Sequence, residues 1–165
     1  MRAQLSTGGD VPAKKTAAVP ALQLSQFVPF RLNRLAKAVS EHLSAIYRER
    51  FGLEIPEWRV LVTVGEQSDC TAQQIAGSTR MHKTRVSRAV AALRRRSLLE
   101  RAPSTRDARE LHLRLTGAGR RMYSSLVPLA LAREKELLAC LGTVRRDALL
   151  EGLSRLESSL GLGRE

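Results

Sequence analysis

Cysteine is scarce in this chain of 165 residues, with only Cys70 and Cys140. Two thiols are too few for a disulfide framework, and they lack the CxxC or Cys/His spacing of a zinc site. Both are expected to be small buried hydrophobes. Aromatic residues are only 4% of the total, which weighs against a β-sandwich. Three histidines stand apart at positions 42, 82 and 112. There is no HExxH, no GxSxG and no glycine-rich phosphate loop, so no enzyme, metal site or cofactor is expected. Apolar runs are short of the roughly 18 residues that cross a bilayer. The first residues hold Arg2, Lys14 and Lys15 but no apolar block of a secretory signal, so a cytoplasmic protein with no membrane partner is expected.

What is present is a globular composition, 43% hydrophobic and 27% charged. Its Ala, Leu and Arg favour helices, and the fold class expected is mainly α. The formal net charge is +12, which points to a polyanionic partner. That charge is unevenly spread. Residues 27–77 and 122–165 each hold six basic and six acidic residues, whereas 78–121 hold thirteen Lys or Arg against Glu100, Asp107 and Glu110, a surplus of ten. A block of this kind suits phosphate neutralisation with counterion release better than general solubility.

Residues 1–24, with Gly8-Gly9, Pro12 and Pro20 and no period, read as a flexible arm. From Ser25 to Arg50, Val28, Leu32, Leu35, Val39, Leu43 and Ile46 recur every three or four residues, the stripe of a long helix. A second helix is expected to begin at Pro56 and stop at Gly65. Thr71 and Gln74 form a capping-box pair opening a short helix to Gly77. After a turn at Ser78-Thr79-Arg80, a basic helix from Lys83 to about Arg96 places Val86, Val90 and Leu93 on one face. Two helices joined by a tight turn, the second basic, make a helix-turn-helix.

The next segment alternates. Leu98-Leu99-Glu100-Arg101 predicts one strand, and Leu111, Leu113 and Leu115 with His112 and Arg114 between them predict its antiparallel partner, the leucines facing inward. Pro103 to Arg109 forms the tip of this wing. A long helix from Thr116 to about Leu141, bent or bulged near Pro128, and a last helix carrying Leu149, Leu153, Leu156 and Leu160 follow. The terminal helices hold more apolar surface than so small a core needs, which predicts self-association.

Four stretches together resemble the MarR family of bacterial transcriptional regulators: Met81-His82-Lys83-Thr84-Arg85-Val86-Ser87-Arg88; Leu98-Leu99-Glu100-Arg101; Arg106-Asp107-Ala108-Arg109; and Leu113-Arg114-Leu115-Thr116-Gly117-Ala118-Gly119. The resemblance extends over roughly residues 25–160. It implies a winged helix-turn-helix lobe at about 54–115, and N- and C-terminal helices (about 25–50 and 116–160) that intertwine in a homodimer gripping a pseudo-palindromic operator in double-stranded DNA. One departure is Ser97, where the family usually has glycine. Ser97 either bears strain in a left-handed conformation or the helix ends differently.

Lys83, Thr84, Arg85, Ser87 and Arg88 are the expected major-groove contacts, with Arg85 and Arg88 suited to bidentate pairing with guanine. Arg101 and Arg106 suit the DNA backbone. The resemblance makes Arg109 a minor-groove probe and Asp107 its restraint, a plain turn residue being the alternative for Asp107. His82 reads as a helix cap or phosphate neighbour. The family resemblance also implies a small, aromatic or anionic effector. Arg34, His42, Tyr47, Trp58 and Arg59 are the candidate ligand residues, although Tyr47 and Trp58 also suit core or interface positions. The block from Pro56 to Leu61 is similar to members that control aromatic-acid catabolism. Some relatives sense peroxide through a first-helix cysteine, which this chain lacks, so insensitivity to peroxide is expected. The function expected is a ligand-responsive, sequence-specific repressor. The alternative is a non-specific architectural nucleic-acid-binding protein without a sensing role.

Overall fold

The computed structural model describes residues 21–103 and 111–162. Most of the expected arm, and the whole wing tip from 104 to 110, lie outside the described residues. The chain divides into two compact units, 1–36 and 37–165. Helix α1 (Val28–Phe51) begins in the first unit and continues into the second. Its stripe is unevenly buried. Val28, Leu32 and Leu35 are exposed, as are Leu22, Leu24, Phe27 and Phe30 before and among them. Val39, Leu43 and Ile46 are half-buried, and Tyr47 is fully buried.

Helices α2 (Ile55–Gln67), α3 (Ala72–Thr79) and α4 (Lys83–Arg95) follow. Pro56 sits in the first turn of α2, where its missing N–H is harmless. Contrary to the sequence expectation, α2 runs through Gly65 and closes at Ser68, a left-handed residue at φ 65°. Gly65 marks a close approach rather than an end, because a Cβ there would collide with the Tyr123 ring. The capping box of α3 forms as expected, with Gln74 N donating to Thr71 Oγ1 at 3.2 Å and Thr71 N to Gln74 Oε1 at 2.8 Å. Ser78 and Thr79, expected in the turn, belong to α3, their hydroxyls donating back to the Ile75 carbonyl. The turn comes one to two residues later, at Arg80 (φ 53°).

Strands β1 (Leu99–Pro103) and β2 (Leu111–Leu115) pair antiparallel, from Leu99 opposite Leu115 to Pro103 opposite Leu111. Cys70 extends the ladder, its N–H and carbonyl both bonded to Leu113. Leu113 and Leu115 are buried, but Leu111 is 57% exposed, so the inward alternation stops two residues short of the expectation. Ser97 takes the strained option, at φ 55°.

Helix α5 (Gly117–Leu138) contains Pro128, and a single 3-10 turn (Ala139–Leu141) leads into α6 (Gly142–Ser159). The Leu-Thr-x-x-Gly pattern has a physical explanation here. Leu115 fills the core, Thr116 Oγ1 accepts from Gly119 N at 3.0 Å as the cap, and Gly119 leaves room for the Leu98 carbonyl, which any Cβ would strike.

One hydrophobic core joins Leu53, Leu61 and Val64 to Ile75, Leu93, Leu115 and Leu126. Each such side chain contributes about 1.5–3 kcal/mol by burial. Cys70 is buried as expected, whereas Cys140 is exposed. Leu137, Leu138 and Leu141 beside it are only half-buried, so that end of the helix does not enclose a small side chain. Among the described residues no helix is long and apolar enough to cross a membrane.

Candidate nucleic-acid interface

The N-terminal end of α4 is built from its cap upward. His82 sits at the N-cap, and its Nδ1 accepts from Thr84 N at 3.3 Å, holding the first turn in place. Val86, Ala89, Val90 and Leu93 are buried and anchor one face of the helix. Lys83, Thr84, Arg85, Ser87 and Arg88 are all exposed. The helical period thus sorts a short segment into an apolar anchor and a cationic, hydroxyl-bearing surface at a helix N-terminus, where backbone N–H groups favour phosphate.

Arg101 is exposed on β1, opposite Leu113. Arg106, Asp107 and Arg109 lie outside the described residues. The base of the wing is fixed by charge. Asp69 accepts from Arg114 through both oxygens, Nε to Oδ1 at 3.2 Å and Nη2 to Oδ2 at 3.1 Å, and its Oδ1 lies 2.9 Å from His112 Nδ1. The Arg114 hydrogen bonds hold the Asp69 carboxyl below its usual range, burial opposes this, and His112 adds to the lowering. His112 and Arg114 share one face of β2 while Leu113 and Leu115 fill the other, the period-2 rule at work.

Among the described residues, three of the basic block's arginines have internal partners. Besides Arg114, Arg120 donates to the Leu115 carbonyl at 2.7 Å and Arg96 to the carbonyls of Gly52 and Phe51.

The candidate ligand residues separate into groups. Tyr47 stacks on Trp58 with ring centroids 4.3 Å apart and planes at 24°. The Tyr47 hydroxyl is buried without a hydrogen-bond partner among the described residues. Burial pushes its pKa up, and the nearby Arg59 charge partly offsets the rise. Arg59 is half-buried and donates to Ser40 Oγ at 3.3 Å. His42 is exposed and takes no part in the stack. Arg34 belongs to the first unit, its guanidinium carbon 5.9 Å from the centre of the Phe30 ring. It lines a concavity of about 460 Å³ with Leu24, Phe27, Phe30 and Asn33. Burial, with the Asp69 charge second, pushes the Cys70 thiol up to about 11, so it is no thiolate at neutral pH.

A MarR family model matches residues 51–110 of the chain, the segment from the end of α1 to the wing. The structure is similar to a MarR/EmrR family transcriptional regulator from Acinetobacter sp. ADP1, at TM-score 0.77 and 27% identity, covering 86% of this chain and all of that one. Residues 51–110 thus match the MarR family, and the fold over most of the chain resembles that of MarR regulators. A MarR family transcriptional regulator from Silicibacter pomeroyi DSS-3 is also similar, with TM-score 0.69, 27% identity and coverage of 82% and 98%. So is a probable transcriptional regulator from Pseudomonas aeruginosa, with TM-score 0.68, 26% identity and coverage of 81% and 99%. Among curated proteins no sequence matches the chain. The family-model match and these neighbours set the chain with DNA-binding transcriptional regulators rather than with enzymes.

Sequence reasoning missed Asp69, Arg96 and Arg120 as supports of the candidate interface. Arg114 and His112 were placed on the strand, and their shared face was the available signal that a carboxylate meets them. Arg96 and Arg120 bond to backbone carbonyls, which leave no pattern in sequence.

Proposed function

We propose that this protein is a cytoplasmic, homodimeric repressor of the MarR type that reads a pseudo-palindromic operator with α4 and releases or tightens it in response to a small aromatic acid. The observation that carries the reading is the exposed set Lys83, Thr84, Arg85, Ser87 and Arg88 on a helix whose other face is locked into the core. Arg85 and Arg88 are the guanine readers, Thr84 and Ser87 bond base edges or phosphate, and Lys83 and Arg101 neutralise phosphates. At the wing tip Arg106 and Arg109 extend the contact to the backbone and minor groove, with Asp107 restraining Arg109.

Exposed apolar residues at both ends of the chain support the dimer, with α1, α5 and α6 supplying its surface. The effector reading rests on the Tyr47–Trp58 stack and the unpartnered Tyr47 hydroxyl, a buried polar atom that a ligand carboxylate or hydroxyl would satisfy. Arg59 supplies the cation there. Arg34 and His42 complete the set only through the family resemblance.

Selection of duplexes from a random-sequence library tests the central part. The protein should enrich one motif and hold it against random DNA by about 10³-fold or more. Arg88→Ala should relax one base position by about 1–3 kcal/mol of discrimination. Failure to enrich any motif, with tight binding to all duplexes, supports the architectural reading instead. Titration of aromatic acids into the enriched complex tests the effector, and indifference across the panel removes it.

A further inference from the structure

Helix α4 ends in three consecutive arginines, Arg94, Arg95 and Arg96, in the middle of the cationic block. By charge alone each is a phosphate ligand. The last is engaged elsewhere. Its Nη1 donates to the Gly52 carbonyl at 2.8 Å and its Nη2 to the Phe51 carbonyl at 2.6 Å, 44 and 45 residues back in the chain. Those carbonyls are the end of α1. There Gly52, at φ 58°, turns the chain out of the helix, with Gly52 N bonded to Arg48 O at 3.0 Å and Leu53 N to Tyr47 O at 2.9 Å. The last carbonyls of a helix have no intrahelical donor and carry partial negative charge. A planar guanidinium fork satisfies two of them at once from two nitrogens in a fixed geometry, where an ammonium offers a single rotatable nitrogen. The other end of the side chain is fixed as well, because Arg96 N bonds to Ala92 O at 3.2 Å as the closing residue of α4.

We infer that Arg96 is a positioning residue for DNA recognition. It fixes the end of the recognition helix to the end of α1, and it neutralises no phosphate. The inference rests on α4 being the helix that reads DNA, and the experiment separates the two. Binding to the library-enriched duplex and to random duplex is measured between 50 and about 200 mM salt, the range over which phosphate contacts show their slope. The proteins compared are wild type, Lys83→Ala, Arg88→Ala, Arg96→Ala and Arg96→Gln.

Lys83→Ala should lower the salt slope by about one and weaken both duplexes alike. Arg96→Ala should keep the wild-type slope and cut the enriched-over-random ratio about tenfold, the loss expected from misplacing base contacts. Arg96→Gln retains an N–H donor without the charge, so it should keep the slope and recover most of the ratio. It also keeps the test decisive if the Ala variant fails to fold. A slope lowered by about one in Arg96→Gln, with equal loss on both duplexes, makes Arg96 a phosphate ligand and overturns the inference. Wild-type ratios in both Arg96 variants overturn it too. If Lys83→Ala and Arg88→Ala are also silent, the reading of α4 itself falls, and the inference with it.

Discussion

The winged lobe and the last helix are both rich in leucine, and they use it in opposite ways. In the lobe, Leu53, Leu61, Leu93, Leu98, Leu99, Leu113 and Leu115 are at most 6% exposed. On α6 and at its C-cap, Leu149, Leu150, Leu153, Leu156 and Leu160 are 37–70% exposed. Charge divides in the same way. Residues 78–121, from the end of α3 to the start of α5, hold the surplus of ten, while residues 122–165 balance six against six. A leucine that finds partners in its own chain makes a core that folds alone. Exposed leucines on a charge-balanced helix suit a surface that a second copy approaches without repulsion, whereas the cationic lobe repels its like and attracts phosphate.

The contrast breaks most visibly at a core leucine. Leu93→Ala should lower unfolding free energy by about 2–5 kcal/mol in denaturant titrations, through a cavity that the lobe cannot close. Replacing Leu153 and Leu156 together by Arg should leave the lobe's stability intact and weaken self-association by about a hundredfold or more in sedimentation equilibrium. Equal damage to folding in both cases would mean that α6 belongs to the core rather than to an interface.

Ser97→Gly sharpens the picture of the lobe. Relief of the left-handed serine should stabilise it by up to about 1 kcal/mol in thermal melts, because glycine adopts that conformation freely. The smallest effect concerns acid. Asp69 is held below its usual 3.8 in the folded chain, first by Arg114. A depressed carboxylate contributes stability that is complete above its unfolded value and is lost as pH falls through the folded value. The stability difference between wild type and Asp69→Asn should therefore be full at neutral pH and shrink on descending below about pH 4. A difference that does not change with pH would contradict the ion pair.

Much of this was legible along the chain. Local periodicity and caps depend on near neighbours, and the Thr71–Gln74 box, the alternation at Leu113 and Leu115 and the anchor residues of α4 all appear where the sequence puts them. The misreadings share a cause. Gly65 reads as a helix stop until Tyr123, more than fifty residues away, is seen to occupy the space beside it. Cys140 reads as core among leucines that are themselves only partly covered. Asp69 and Arg96 act across 43 to 45 residues, beyond any local period. At the interface, the exposed residues of α4 were legible because amphipathic spacing decides what faces out, and the supports behind them were not because tertiary contact decides those.

Enriching duplexes from a random-sequence library and comparing the affinity of the winning sequence with that of random DNA at physiological salt probes the account at its centre. A preference of about a thousandfold or more, carried by one motif and relaxed at a single base position in Arg88→Ala, is the predicted result. Equal affinity for every duplex, with Arg88→Ala weakening all of them alike, would contradict it.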